Sequence, residues 1–195
     1  MNTEYHSQSD YYYVNGKQVP LNQVPAAYAV KYRRGEHATF DLLPVRARRF
    51  LREDSDFKGF IPEYGLKVYQ ARMPSGRRGE GEDVDLAEAV QSEVRFLNES
   101  DPVEYATPVY RQSRDTELPM FVTNQLLVQF KPEVTQAEQQ ALHDRYGVKV
   151  VEELAYADNG YLLEVTDLSQ NGVIEVANAY FESDLVLFAN PNFIT

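Results

Sequence analysis

The final strand-like stretch of this chain, Leu185-Val-Leu-Phe-Ala-Asn-Pro-Asn-Phe-Ile194, has an upstream echo in Asp101-Pro-Val-Glu-Tyr-Ala-Thr-Pro-Val-Tyr110. The residues leading into each also match, Phe96-Leu-Asn-Glu-Ser-Asp101 against Phe181-Glu-Ser-Asp184. The final stretch reads as a short buried strand that runs into an Asn-Pro-Asn turn and stops, and its upstream echo implies one architectural unit built twice. A chain of 195 residues has room for two domains of roughly 80 to 100 residues each.

The rest of the sequence reads in the same repeated order. Residues 11–21 form a β-hairpin, because Asn15-Gly16 supplies two residues that accept positive φ at a tight turn. Residues 26–33 alternate as a strand, and Asp41 caps a helix reaching about residue 52. Strands 57–61 and 66–71 turn at Pro62-Glu-Tyr-Gly65. A glycine-rich loop over 75–81, a helix over about 84–97 and a strand over 103–110 complete the first half. In the second half residues 121–130 form a strand, and Thr135-Gln-Ala-Glu138 is a capping box opening a helix that ends at Gly147. Strands 148–156 and 161–166 flank a turn at 157–160. Val173, Ile174, Ala177, Tyr180 and Phe181 follow helical spacing, and strand 184–189 closes the chain.

These readings predict an α+β protein: two ferredoxin-like βαββαβ units, each an antiparallel sheet with helices on one face, plus an N-terminal β-hairpin. The expected boundaries are 1–25 for tail and hairpin, 26–111 for the first unit, 112–119 for a linker and 120–195 for the second unit. Ala29-Val-Lys-Tyr-Arg33 aligns with Leu127-Val-Gln-Phe-Lys131, and Tyr64-Gly-Leu-Lys-Val68 with Tyr161-Leu-Leu-Glu-Val165.

Charge and composition narrow the function. The net charge of −11 is uneven: residues 1–116 carry 16 basic and 18 acidic residues, and residues 117–195 carry 3 basic and 12 acidic. The second half repels nucleic acid and suits a partner with positive surface or exposed helix N-termini. Acidity that simply keeps the chain soluble accounts for the same numbers. The 14 tyrosines suit either ordinary strand packing or a contact surface. With no cysteine, disulfides and cysteine-ligated zinc are excluded. Residues 1–10 are polar and unlike a signal peptide, and no run of 18 apolar residues occurs, so a cytoplasmic protein that does not enter membranes is expected.

No catalytic, cofactor-binding or metal-binding residues emerge. His6, His37 and His143 are far apart, and His143, beside Asp144, is expected to be a solvated histidine. Gly76-Arg-Arg-Gly79 lacks the glycine spacing of a phosphate cradle, and Glu80, Glu82, Asp83 and Asp85 lack that of a calcium loop. An enzyme is not expected.

The second unit's sheet carries apolar residues on both faces. Val122, Leu126, Val128 and Phe130 share one face of their strand, and Phe121, Thr123, Gln125, Leu127 and Gln129 the other. Tyr161, Leu163 and Val165 oppose Leu162, Glu164 and Thr166; Leu185, Leu187 and Ala189 oppose Val186 and Phe188. Helices on one side should leave the other polar. A mixed second face fits an interface that is soluble before it docks, or one covered by the first half of the chain.

The second half resembles the prodomain of subtilisin-like serine proteases. The words that carry the resemblance are Gln125-Leu-Leu-Val-Gln-Phe-Lys-Pro-Glu133, Tyr146-Gly-Val-Lys-Val-Val151, Asn159-Gly-Tyr-Leu-Leu-Glu-Val165 and Ser183-Asp-Leu-Val-Leu-Phe-Ala-Asn-Pro-Asn-Phe-Ile194, spanning about residues 120–195. The first half is similar to the region preceding such prodomains in large bacterial subtilases. The resemblance implies a non-catalytic folding chaperone and inhibitor. Its sheet presses on two parallel helices of a subtilisin-like protease, in cis or in trans. Carried over to this chain, the contacts are Leu127, Leu162 and Phe188, with Asn190 and Asn192 capping the partner's helices and Phe193, Ile194 and Thr195 nearest the cleft. An Asx turn around Pro191 would engage the same asparagines. The family's inhibitory tail is longer than the stretch from Phe193 to Thr195, which implies either a fragment of a longer protease or a stand-alone relative that binds without plugging the cleft. The alternative function is a general protein-interaction module of two ferredoxin-like units with no protease partner.

Overall fold

A computed structural model describes residues 11–33, 60–61, 63–70, 82–112 and 118–195. The expected helix over 41–52 and the glycine-rich loop over 75–81 lie outside the described residues. The fold is α+β, with antiparallel strand pairs and three helices among the described residues.

The chain divides into two compact units. One, here the 124–192 unit, holds the described part of Met1–Asn22 together with Asn124–Thr166 and Asn171–Asn192. The other, the 23–123 unit, holds the described residues of Gln23–Thr123 with Asp167–Gln170 and Phe193–Thr195.

In the 124–192 unit, β1 (Tyr11–Val14) and β2 (Lys17–Pro20) form the expected hairpin, with Asn15 at φ 49° and Gly16 at φ 75°. The remaining elements are β7 (Met120–Phe130), α2 (Gln136–Tyr146), β8 (Val148–Glu153), β9 (Gly160–Val165), α3 (Val173–Glu182) and β10 (Val186–Ile194). Within this unit the strand order is β8-β9-β7-β10. The capping box forms as read: the Glu138 amide donates to Thr135 Oγ1, and the Thr135 amide donates to Glu138 Oε2 at 2.8 Å. Gly147 ends α2 in the left-handed region at φ 63°. The apolar side of the sheet is as the alternation predicts. Leu126, Val128 and Phe130 of β7 and Leu163 and Val165 of β9 are buried, as are Leu142 of α2 and Val176, Ala177 and Tyr180 of α3.

Three expectations in this unit are corrected. The last strand does not stop at an Asn-Pro-Asn turn; β10 runs unbroken through Asn190, Pro191 and Asn192 to Ile194. Pro191 has no N–H to donate, but β10 lies at an edge of this unit's sheet, where a strand tolerates proline. The strand after Gly147 ends at Glu153, not Tyr156. Residues 154–160 fold back instead, with Ala157 N donating to Leu154 O, Gly160 N to Ala157 O and Leu154 N to Gly160 O. His143 is not solvated. It is 4% exposed, because α2 buries Gln139, Leu142 and His143 along one side.

In the 23–123 unit, β3 (Asn22–Tyr32), β4 (Phe60–Ile61), β5 (Leu66–Gln70), α1 (Glu82–Asn98) and β6 (Val103–Arg111) take the order β4-β5-β3-β6. The start of β7 adds Val109↔Phe121 and Tyr110↔Met120. Two apolar clusters follow from the period-2 alternation. Tyr28, Val30 and Tyr69 pack with Val90, Val94 and Leu97 of α1. Ala27, Ala29, Leu66 and Val68 pack with Tyr105, Val109, Phe121 and Ile194.

The two units repeat a backbone contact. Arg33 N donates to Pro102 O at 3.1 Å, and Lys131 N donates to Leu185 O at 3.0 Å. Val103 and Val186 therefore occupy matching places, both buried, and so do Ala106 and Ala189. Pro108 and Pro191 then coincide, and β6 and β10 are each nine residues long. Strict alternation fails at the start of β6: Val103 and Ala106 share one cluster, whereas Tyr105 and Val109 share the other. The matching places put Val186 and Phe188 on opposite faces, against the sequence reading. A second alignment also shifts. Val30 pairs with Lys67 as Val128 pairs with Tyr161, so Lys67, not Tyr64, matches Tyr161. A slip of three residues would have exchanged the two faces.

Candidate docking face

The second face of the sheet in the 124–192 unit is built by cross-strand register. Leu127 lies directly opposite Leu162, and Gln125 opposite Glu164. On β8, Lys149 pairs with Glu164 and Glu152 with Leu162. The Lys149 ammonium meets Glu164 Oε1 at 2.8 Å, and Asn192 Nδ2 donates to Gln125 Oε1 at 3.4 Å. A polar row from Lys149 through Glu164 and Gln125 to Asn192 thus crosses the sheet beside the Leu127–Leu162 pair. This row was missed by sequence reasoning; its signal was Gln125 and Glu164 standing two residues along their strands from the two leucines, on the same face.

The structure brings some predicted contact residues together and separates others. Leu127, Leu162, Phe188 and Asn192 are all half-buried. Asn190 is half-buried, with its amide oxygen enclosed and unpartnered. Phe193 is half-buried and Thr195 exposed, but Ile194 is only 9% exposed and belongs to the cluster with Ala29, Val109 and Phe121. Leu187, which sequence reasoning did not select, is 52% exposed.

A comparison of matching positions isolates what is special here. With Arg33 and Lys131 matched, Ala29, Val68, Tyr105 and Val109 correspond to Leu127, Leu162, Phe188 and Asn192. The first four are no more than 2% exposed. The second four are half-open. The same face is therefore sealed in one unit and accessible in the other.

Residues 111–192 match the family model of the fervidolysin N-terminal prodomain. This is a subtilase propeptide-type domain, and the match covers under half of the chain. No curated protein and no solved structure matches. The prodomain match takes in α2, α3 and the strands β7 to β10, the last as far as Asn192. It leaves out the hairpin of β1 and β2 and the residues of the 23–123 unit up to Tyr110.

The prodomain-like segment buries His143 against Tyr180. Among the described residues no group of three His, Asp or Glu side chains is placed to hold a metal ion. Its one buried histidine bonds to Tyr180, with Nδ1 and the hydroxyl 2.7 Å apart. Burial holds the His143 pKa below its ordinary value against the opposing charge of Asp144, and burial raises that of Tyr180. Both groups are thus neutral near pH 7, which suits a packed interior. No helix among the described residues is long and apolar enough to cross a membrane.

Proposed function

We propose that residues 120–195 act as a non-catalytic prodomain that binds a subtilisin-like serine protease, serving as folding chaperone, inhibitor or both. The observation that carries this reading is the half-open second face of the sheet. It lies where the 23–123 unit keeps a sealed one, and within a segment that matches a subtilase propeptide family. Leu127, Leu162 and Phe188 supply apolar contact, and the Lys149–Glu164–Gln125–Asn192 row keeps the face soluble when free. Asn192 is offered to a helix N-terminus of the partner, where a side-chain amide oxygen accepts from free backbone N–H groups; Asn190 can do the same only after its enclosed amide oxygen turns outward.

The chain is further read as two copies of one ferredoxin-like unit, at 26–111 and 120–195, joined by a linker at 112–119. The shared strand orders and the paired Arg33 and Lys131 contacts support this. The second copy has a half-open face; in the first the same face is buried at Ala29, Val68, Tyr105 and Val109.

Placing Phe193, Ile194 and Thr195 in a protease cleft requires Ile194 to leave an apolar cluster, at a cost of about 1.5–3 kcal/mol for that side chain. Docking through the sheet face accordingly precedes any delivery of the tail. Calorimetric titration of the intact chain into a subtilisin-like protease tests the proposal: saturable binding, weakened by substitution of Leu127 or Leu162, is expected. Absence of binding leaves the alternative of an interaction module without a protease partner.

A further inference from the structure

The hairpin of β1 and β2 lies outside the matched prodomain segment, yet it contacts that segment's second helix through several distinct groups. Tyr11 and Tyr13 are two residues apart and so project from the same side of β1. Tyr13 stacks on Phe181 with centroids 4.3 Å apart and planes at 26°. The Tyr13 hydroxyl donates to Glu182 Oε1 at 3.0 Å, and the Tyr11 hydroxyl to the same oxygen at 3.4 Å. Gln18 of β2 donates to the Tyr13 hydroxyl at 3.2 Å. Asn178 Nδ2 donates to Tyr11 O at 2.9 Å. Asn178, Phe181 and Glu182 stand at i, i+3 and i+4 of α3 and form one helical stripe.

Each partner depends on the other. A two-stranded hairpin is marginal alone in water. On α3, release of β1 uncovers the Phe181 ring and leaves the buried Asn178 amide without its acceptor.

We propose that residues 11–20 form an intramolecular latch on the Asn178–Phe181–Glu182 stripe of α3, and that latching controls the local stability of α3 in the prodomain-like segment. The latch binds in cis, through a Tyr-x-Tyr strand reading one aromatic ring and one carboxylate. It does not depend on the docking reading, since none of its contacts involve the second sheet face.

Hydrogen exchange on the intact chain, read by mass spectrometry for residues 11–20 and 173–182 separately, tests the latch. In Tyr13→Ala, which loses the stack and one carboxylate contact, both segments should exchange about tenfold faster. Glu182→Gln keeps the fold and an acceptor oxygen and should give a smaller loss in both. Adding a synthetic peptide of residues 10–21 to the unaltered chain should free the chain's own hairpin while α3 stays protected, because the peptide takes its place. If α3 exchange is unchanged in Tyr13→Ala while the hairpin opens, the hairpin is a passenger and the proposal fails. If α3 protection varies with protein concentration, a second copy supplies the hairpin and the cis assignment is overturned.

Discussion

His143 and Tyr180, 37 residues apart in sequence, meet at 2.7 Å beneath the sheet of the 124–192 unit, with their rings 6.0 Å apart and Phe130 against both. The contact joins α2 to α3, and burial among side chains that include no carboxylate favours the uncharged imidazole over the charged one. It also ties the stability of the 124–192 unit to pH.

The sign follows from the direction of the shift. The folded pKa of His143 is lowered by burial from an ordinary 6.5, so the unfolded chain binds the proton more readily. The histidine's contribution is fully present above about 6.5 and is lost as pH falls through the folded pKa. Urea midpoints measured from pH 7.5 down to pH 5 should fall for the unaltered chain. For His143→Gln, which removes the titration, the curve should be flatter over that range. Parallel curves would refute the assignment.

Gly160 closes the turn before β9, and a Cβ there would sit 2.7 Å from Ala157 Cβ and 2.8 Å from the Ala157 carbonyl oxygen. Gly160→Ala should cost about 1–3 kcal/mol through overpacking against backbone. Gly16→Ala meets nothing within 4 Å and strains only the positive φ of 75°, so its cost should be nearer ~1 kcal/mol. Chemical denaturation of the two variants side by side checks the order; equal losses would contradict it.

Thr135 starts α2 by accepting from the Glu138 amide, while Glu138 reaches back to the Thr135 amide. Thr135→Ala should cost about 1 kcal/mol. The Glu138 carboxyl, whose pKa is lowered chiefly by its bonds to Thr135, should titrate closer to an ordinary carboxylate in that variant. NMR titration of the Glu138 side chain reads the second effect directly.

The matched faces should respond oppositely to the same substitution. Leu127→Gln and Leu162→Gln alter half-open positions and should leave the unfolding free energy nearly unchanged, within about 0.5–1 kcal/mol. They should weaken subtilase binding at least about tenfold. Ala29→Gln and Val68→Gln place an amide in a fully buried cluster and should destabilise the chain by about 2 kcal/mol or more. Equal destabilisation at all four sites would show that the 124–192 face is sealed as well.

Local signals carried most of the secondary structure. Asn15-Gly16, the Thr135–Glu138 box and Gly147 each act within a few residues, and each formed as read. The two-residue alternation of β7 and β9 alone placed Leu127 and Leu162 on one face. Alternation failed where the chain departs from regular pleating, near the start of β6, and the alignment of Tyr64 failed because pairing register is set by the partner strand. The Asn-Pro-Asn word looked like a stop only because an edge strand's tolerance for proline depends on which side has no neighbour.

The sequence by itself determined the order of the described strands and helices, the Asn15-Gly16 turn, the Thr135 and Gly147 caps and the two faces of β7 and β9, because these depend on backbone conformation and neighbours a few positions away. Only the tertiary structure decided that His143 is interior, that Ile194 fills an apolar cluster while Leu127 stays half-open, and that Tyr13 rests on Phe181. Those outcomes depend on which distant segment covers a given side chain, and that choice is made by packing the whole unit, with no local residue pattern to announce it.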